Sequence, residues 1–368
     1  MYYDFDALAV MGKSGMAEGR TGCADSLHKK GGAVGKMKGS GITRRDFLKY
    51  SGITAGALML GLKRGAAMGT NKSRVVFFET ESHKVGAVSS MRTFDPNLTK
   101  NKDVLIKPNF NTSDYFPGST HNETLVSLVD EVWNLGARSV AVGERSFPPT
   151  KQVMEEMGII PLLEKRDVRI LNFDDLAGKD WVKFKPKDSH WREGFRVARP
   201  ILDAECLIST CCLKTHQYGG VFTMSLKLHV GVVPTDRHGY EYMRELHSSP
   251  HQRKMIAEIN KAFKPDLIVL DGVEAFVDGG PMTGKRAKAS MFLASTDRVA
   301  TDAVALAVLK VLGSNKQIMN SKIYEQEQIS RAVQLGLGAS SPSEIDLVPG
   351  DEKSREYCFR VGEVLAQG

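Results

Sequence analysis

Cys206-Leu207-Ile208-Ser209-Thr210-Cys211-Cys212-Leu213-Lys214-Thr215-His216 is an apolar, strand-forming run that ends in thiols, a lysine and an imidazole. Gly219-Gly220 follows, then Ser225-Leu226-Lys227-Leu228-His229-Val230-Gly231. A buried strand that empties into a polar, glycine-containing loop is where open α/β sheets keep their ligand sites. The run therefore sets the expected fold: α/β, with a mostly parallel, Rossmann-like sheet, helices on both faces and a small antiparallel insertion.

Working outward, Asp103–Lys107 reads as a short buried strand stopped by Pro108-Asn109. Thr120-His121-Asn122-Glu123 is a capping box that opens an amphipathic helix, and Gly136 ends it. Ser139–Val142 is the next strand, closing on Gly143-Glu144. A strand–helix–strand unit of this length predicts parallel pairing. Arg74–Glu79, Leu267–Leu270 and Met291–Ala294 read as further strands, the last two ending at Asp271 and at Ser295-Thr296-Asp297. Val182–Lys185 and Phe195–Ala198 alternate in polarity and predict the antiparallel insertion. Residues 232–250, with Pro234, His238, Gly239 and Pro250, read as a mobile excursion able to cover a site.

The formal charge of +7 is local. Residues 1–69 hold 11 Lys/Arg against 5 Asp/Glu, which leaves 39 against 38 beyond them and excludes nucleic acid as a partner. The 42% hydrophobic and 25% charged content is that of a globular chain. Thr43-Arg44-Arg45-Asp46-Phe47-Leu48-Lys49 precedes a short apolar run, Ser51–Leu62, and small residues up to Gly69. That order predicts a twin-arginine export signal cleaved near Gly69, hence a periplasmic protein that engages the export machinery. The run is too short for a stable membrane span. Residues 70–368 then form one α/β domain.

The polar strand ends give the site. Lys107 and Asn109, Glu144, Lys214 and His216, Asp271, and Ser295 and Asp297 share one sheet edge if their strands are parallel. Lys107, Lys214 and Lys227, with Gly219 and Gly220, would cradle a carboxylate or phosphate. His216 would be the acid/base beside Lys214 and Glu144, with His216 and Asp297 as ligands if a divalent metal is bound. Cys206, Cys211 and Cys212 leave open a redox or iron–sulfur role, although buried cysteines also serve as small hydrophobes. A non-enzymatic periplasmic carrier is a further reading.

In the same order, Lys107-Pro108-Asn109, Gly143-Glu144, Leu213-Lys214-Thr215-His216, Lys227 to Gly231, Pro265-Asp266-Leu267, Gly280-Pro281 and Asp297 to Asp302 resemble the uncharacterised domain family numbered 362. The resemblance spans residues 74–312 and implies no activity. Some members add a ferredoxin-like module, whose cysteines this chain lacks, and Leu228 stands where the family usually has Asn.

Overall fold

The strands are β1 (Ser73–Glu79), β2 (Asp103–Lys107), β3 (Ser139–Glu144), β4 (Arg169–Asn172), β5 (Trp181–Phe184), β6 (Phe195–Ala198), β7 (Cys206–His216), β8 (Val221–Thr223), β9 (Leu267–Gly279), β10 (Gly284–Ser295) and β11 (Ile345–Pro349). They belong to a computed structural model that describes residues 72–237 and 239–368. The leader with Arg44 and Arg45, and His238, lie outside the described residues.

One sheet runs in the order β11-β1-β10-β9-β7-β2-β3-β4, with β8 folded back on β7; β5 and β6 form a separate antiparallel ribbon. β2, β3, β4, β7 and β9 are parallel neighbours, and β1 pairs in parallel with β11. The fold is thus a mostly parallel α/β sheet with a small antiparallel addition. β7 is buried along its whole length, because helices cover both faces of the sheet. Cys206 and Ile208 pack toward the helices His83–Arg92 and Asn122–Asn134. Cys211 and Leu213 point the other way, into the core around the helix Arg298–Leu312. Among the described residues no helix is long and apolar enough to cross a membrane.

Two expectations fail. β9 does not stop at Asp271 but continues to Gly279, and β10 begins at Gly284. Only residues 280–283 join them, whereas a parallel crossover needs a dozen or more. β10 therefore runs backward between β9 and β1. Ser295 pairs with Ile268 near the start of β9, so Ser295 and Asp297 lie on the edge opposite Lys214 and His216. The segment 232–250 is also no mobile cover: Val232, Val233, Tyr242 and Leu246 are buried in a core with Trp191 and Met255, and make it a wall.

Candidate functional site

β7 outruns its neighbours, and that overhang builds the site. Lys107, the last residue of β2, is level with Ser209, and Asp271 is level with Cys212. An irregularity in β9 between Asp271 and Ala275 lets β7 continue to Lys214 and His216. The chain then reverses, pairing Lys214 with Thr223 and His216 with Val221. Gly219 takes φ +80° in this reversal, and Val221 takes φ +65°, a conformation costing a β-branched residue roughly 1–3 kcal/mol. The helical turn Ser225–Leu228 follows, held by the buried Asp302, which accepts from the Ser225 and Leu226 amides at 2.7 and 3.1 Å. Burial pushes that carboxyl up to about 7. The turn delivers Lys227 back over β7.

Four buried cations meet here. The Lys107 ammonium pairs with Glu144 Oε1 at 2.5 Å and donates to the Pro108 carbonyl. Glu144 also accepts from the Phe110 and Arg145 amides. Burial pushes the glutamate up and the lysine down, and their mutual attraction opposes both shifts. Arg145 donates to neutral groups, the Ser146 and Val230 carbonyls and Thr235 Oγ1. Lys214 donates to the Gly118 carbonyl. Lys227 has no hydrogen bond and no ion pair among the described residues. Burial, then the neighbouring charges of Lys214 and Arg145, bring it down to about 7. Of the carboxylates that act on these cations, only Glu144 is buried; Asp114 is half-buried and Asp174 exposed.

Polar atoms without partners surround the same place. His216 Nδ1, Thr223 Oγ1, Gln252 Nε2 and Arg145 Nε are buried and unbonded. A side chain at Gly220 would run into Lys227 Cε and His216 Nδ1, and one at Gly231 into Glu144 and Lys107. One at Gly219 would meet Gln252. Burial first, then Lys227 and Lys214, hold His216 well below the usual imidazole range, so it is a neutral acceptor or donor.

Of the residues singled out in the sequence, the structure brings Lys107, Glu144, Lys214, His216, Gly219, Gly220 and Lys227 together. Asn109 lies beside them as a brace, its amide donating to the Gly118 carbonyl at 3.0 Å and approaching Cys212 Sγ at 3.8 Å. Asp271 is on the same edge but occupied, accepting from Thr124 Oγ1 and Val273 N and pairing with His83 Nδ1 at 2.7 Å. Ser295 and Asp297 do not join. Asp297 caps the helix Arg298–Leu312 through the Val299 and Ala300 amides, and also accepts from Ala339 N and Ser73 Oγ. The metal pair His216 and Asp297 is therefore corrected: the antiparallel β10 carries Asp297 to the far edge. Among the described residues no three His, Cys, Asp or Glu gather as a metal would require. Among the described residues Cys206, Cys211, Cys212 and Cys358 are free and buried, and burial pushes Cys206 and Cys212 up to about 12 and Cys211 well above its usual value.

Three neighbours lie outside the site expected from the sequence. Arg145 directly follows Glu144 and carried no signal of its own. His247, on the helix Tyr242–Ser248, is pushed down to about 4 by the protein packed around it and then by Lys227, though part of the residue reaches solvent. His83 opens a helix that the sequence pattern did not reveal and stacks on His121 at 3.7 Å. His229, by contrast, is a saturated core residue between Ser209 Oγ and Asn260 Oδ1.

A family model described as Domain of unknown function (DUF362) matches residues 104–307, a stretch that contains every residue of the cluster. A thylakoid-associated protein of Synechocystis sp. is 28% identical over 248 residues, covering 64% of this chain and 74% of that protein. The lactate racemase apoprotein of Thermoanaerobacterium thermosaccharolyticum superposes with a TM-score of 0.37 at 14% identity, over 57% of this chain and 52% of that one. A likeness so loose carries no argument about chemistry.

Proposed function

Because the chain belongs to the DUF362 family, whose name assigns no activity, we propose its function from the cluster itself: it binds a small anion, a carboxylate or phosphate, at the carboxyl edge of β7. One observation carries this. Arg145, Lys214 and Lys227 are buried without a carboxylate partner, around unbonded polar atoms and glycines that let the charged side chains approach one another closely. Buried charge left uncompensated costs several kcal/mol, and an anion supplies the missing countercharge. Lys214, Lys227 and Arg145 would grip the ligand, with Thr223 and Gln252 offering their unbonded atoms. His216 is placed to exchange a proton with it.

Thermal denaturation with inorganic phosphate, acetate and pyruvate tests the reading. Ligand at ~100 times its dissociation constant stabilises by about 2.7 kcal/mol. That gain should vanish in Lys214→Met/Lys227→Met, whose unliganded stability should match or exceed the parent's. An equal response in both proteins would sink the proposal.

We also propose that Thr43 to Lys49 direct export by the twin-arginine route. Replacing Arg44 and Arg45 with lysine should leave unprocessed protein in the cytoplasm; normal processing of that variant would remove the idea.

A further inference from the structure

We propose that Lys227 is a nucleophile, and that it condenses with the carbonyl carbon of a small oxo acid whose carboxylate lies against Lys214 and Arg145. This rests on the anion reading and adds the substrate class to it. The geometry sets Lys227 apart from the other three cations. Lys107 is occupied by Glu144, and Lys214 by the Gly118 carbonyl, while Arg145 donates to carbonyls and a hydroxyl. The Lys227 amine alone has no partner among the described residues, and the missing Cβ of Gly220 lets Lys227 Cε and the unbonded Nδ1 of His216 both close in on that position. A lysine buried along its stem and set among other cations, with a neutral imidazole nearby, is the arrangement that keeps an amine unprotonated and reactive.

The step balances without a further reagent. The lone pair of the neutral amine attacks the carbonyl carbon, the N–C bond forms, and the C=O π pair moves to oxygen. Two hydrogens of the amine leave with that oxygen as water, and a neutral imine remains. His216, uncharged and adjacent, is placed to carry the proton from nitrogen to the departing oxygen. The charged and titratable groups around the amine are Lys214 and His216 on β7, Arg145 beyond β3, and His247 on the helix Tyr242–Ser248, with the Lys107–Glu144 pair across Gly231. All but Glu144 are cationic or neutral, so they favour the uncharged amine. Burial, then Lys214 and Arg145, bring Lys227 to about 7, and adduct formation should rise as pH climbs through that value. Exposed lysines respond only near ~10.4.

The experiment treats the full chain with glyoxylate or pyruvate and cyanoborohydride, then maps the reduced adduct by peptide mass spectrometry. In parallel, acetate and phosphate are assayed by thermal denaturation. The expected result is one dominant adduct on Lys227, at least tenfold over any other lysine at neutral pH. Lys227→Arg should lose the adduct. If acetate or phosphate stabilises the chain while adducts fall on exposed lysines or on Lys214, the nucleophile is refuted and the anion site survives. If no anion stabilises and no adduct forms, both readings fall. Because the mapping is done on the parent chain, the outcome does not depend on a variant folding.

Discussion

The two edges of the sheet each bury charge, and they treat it in opposite ways. At the amino edge Asp297 is 8% exposed, and both its carboxylate oxygens are bonded, to three backbone amides and a serine hydroxyl. At the carboxyl edge Lys227 is 9% exposed and bonded to nothing among the described residues. Burial alone does not distinguish a structural ion from a functional one. What distinguishes them is whether the fold has used up their bonding capacity.

The sharpest way to break that contrast is to remove Glu144, the buried carboxylate paired with the cation cluster. Glu144→Ala leaves Lys107 buried and unpaired, which should cost about 3–5 kcal/mol in urea denaturation. Added phosphate should restore part of the loss, because it supplies countercharge to the same cluster. At the amino edge, Asp297→Ala removes a helix cap and should cost roughly 2 kcal/mol. Phosphate should restore none of it, and the ligand response should survive. Similar rescue at both edges would erase the distinction.

How much of this was legible in the chain follows from which signals are local. Lys107, Glu144, Lys214 and His216 each end or follow an apolar run, and in parallel strands such ends must share an edge. The direction of β10 was misread because Met291-Phe292-Leu293-Ala294 looks the same whichever way it runs. Its first half, Gly284 to Ser290, alternates charge and resembles a loop, and this hid the four-residue turn that forces the chain back. A hairpin reading of Gly279-Gly280-Pro281 would have moved Asp297 off the site. His216 and His229 illustrate another limit. Both are buried imidazoles beside polar sequence, and only the partners Ser209 and Asn260, the latter 31 residues away, mark His229 as structural. Arg145 shows the same: no pattern says that a surface-like arginine after a strand will be covered by Val230, Thr235 and Met243.

The most gradual effect, smallest per pH unit, is the pH dependence. Lys227 is depressed to about 7 in the fold and recovers its ordinary value when unfolded, so the unfolded chain binds more protons between those limits. Without ligand, stability should therefore rise as pH climbs from about 7 toward about 10, by at most about 1.4 kcal/mol per pH unit from this group. Lys227→Met should flatten that part of the profile. Phosphate binding should weaken over the same range, as the ammonium that attracts it disappears. A parent and variant with superimposable profiles would place Lys227 outside the cluster's electrostatics.

Gly220 gives the molecule a dial as well as a space. Its φ is not in the left-handed range, so the backbone accepts a methyl group there, and the atoms in the way are the far end of a flexible lysine and one edge of His216. Gly220→Ala would therefore deflect the amine by the width of one methyl while leaving every charged side chain in the sequence. Alanine and serine at this position form a graded ruler for the site: they vary where the nitrogen points, independently of whether it is present.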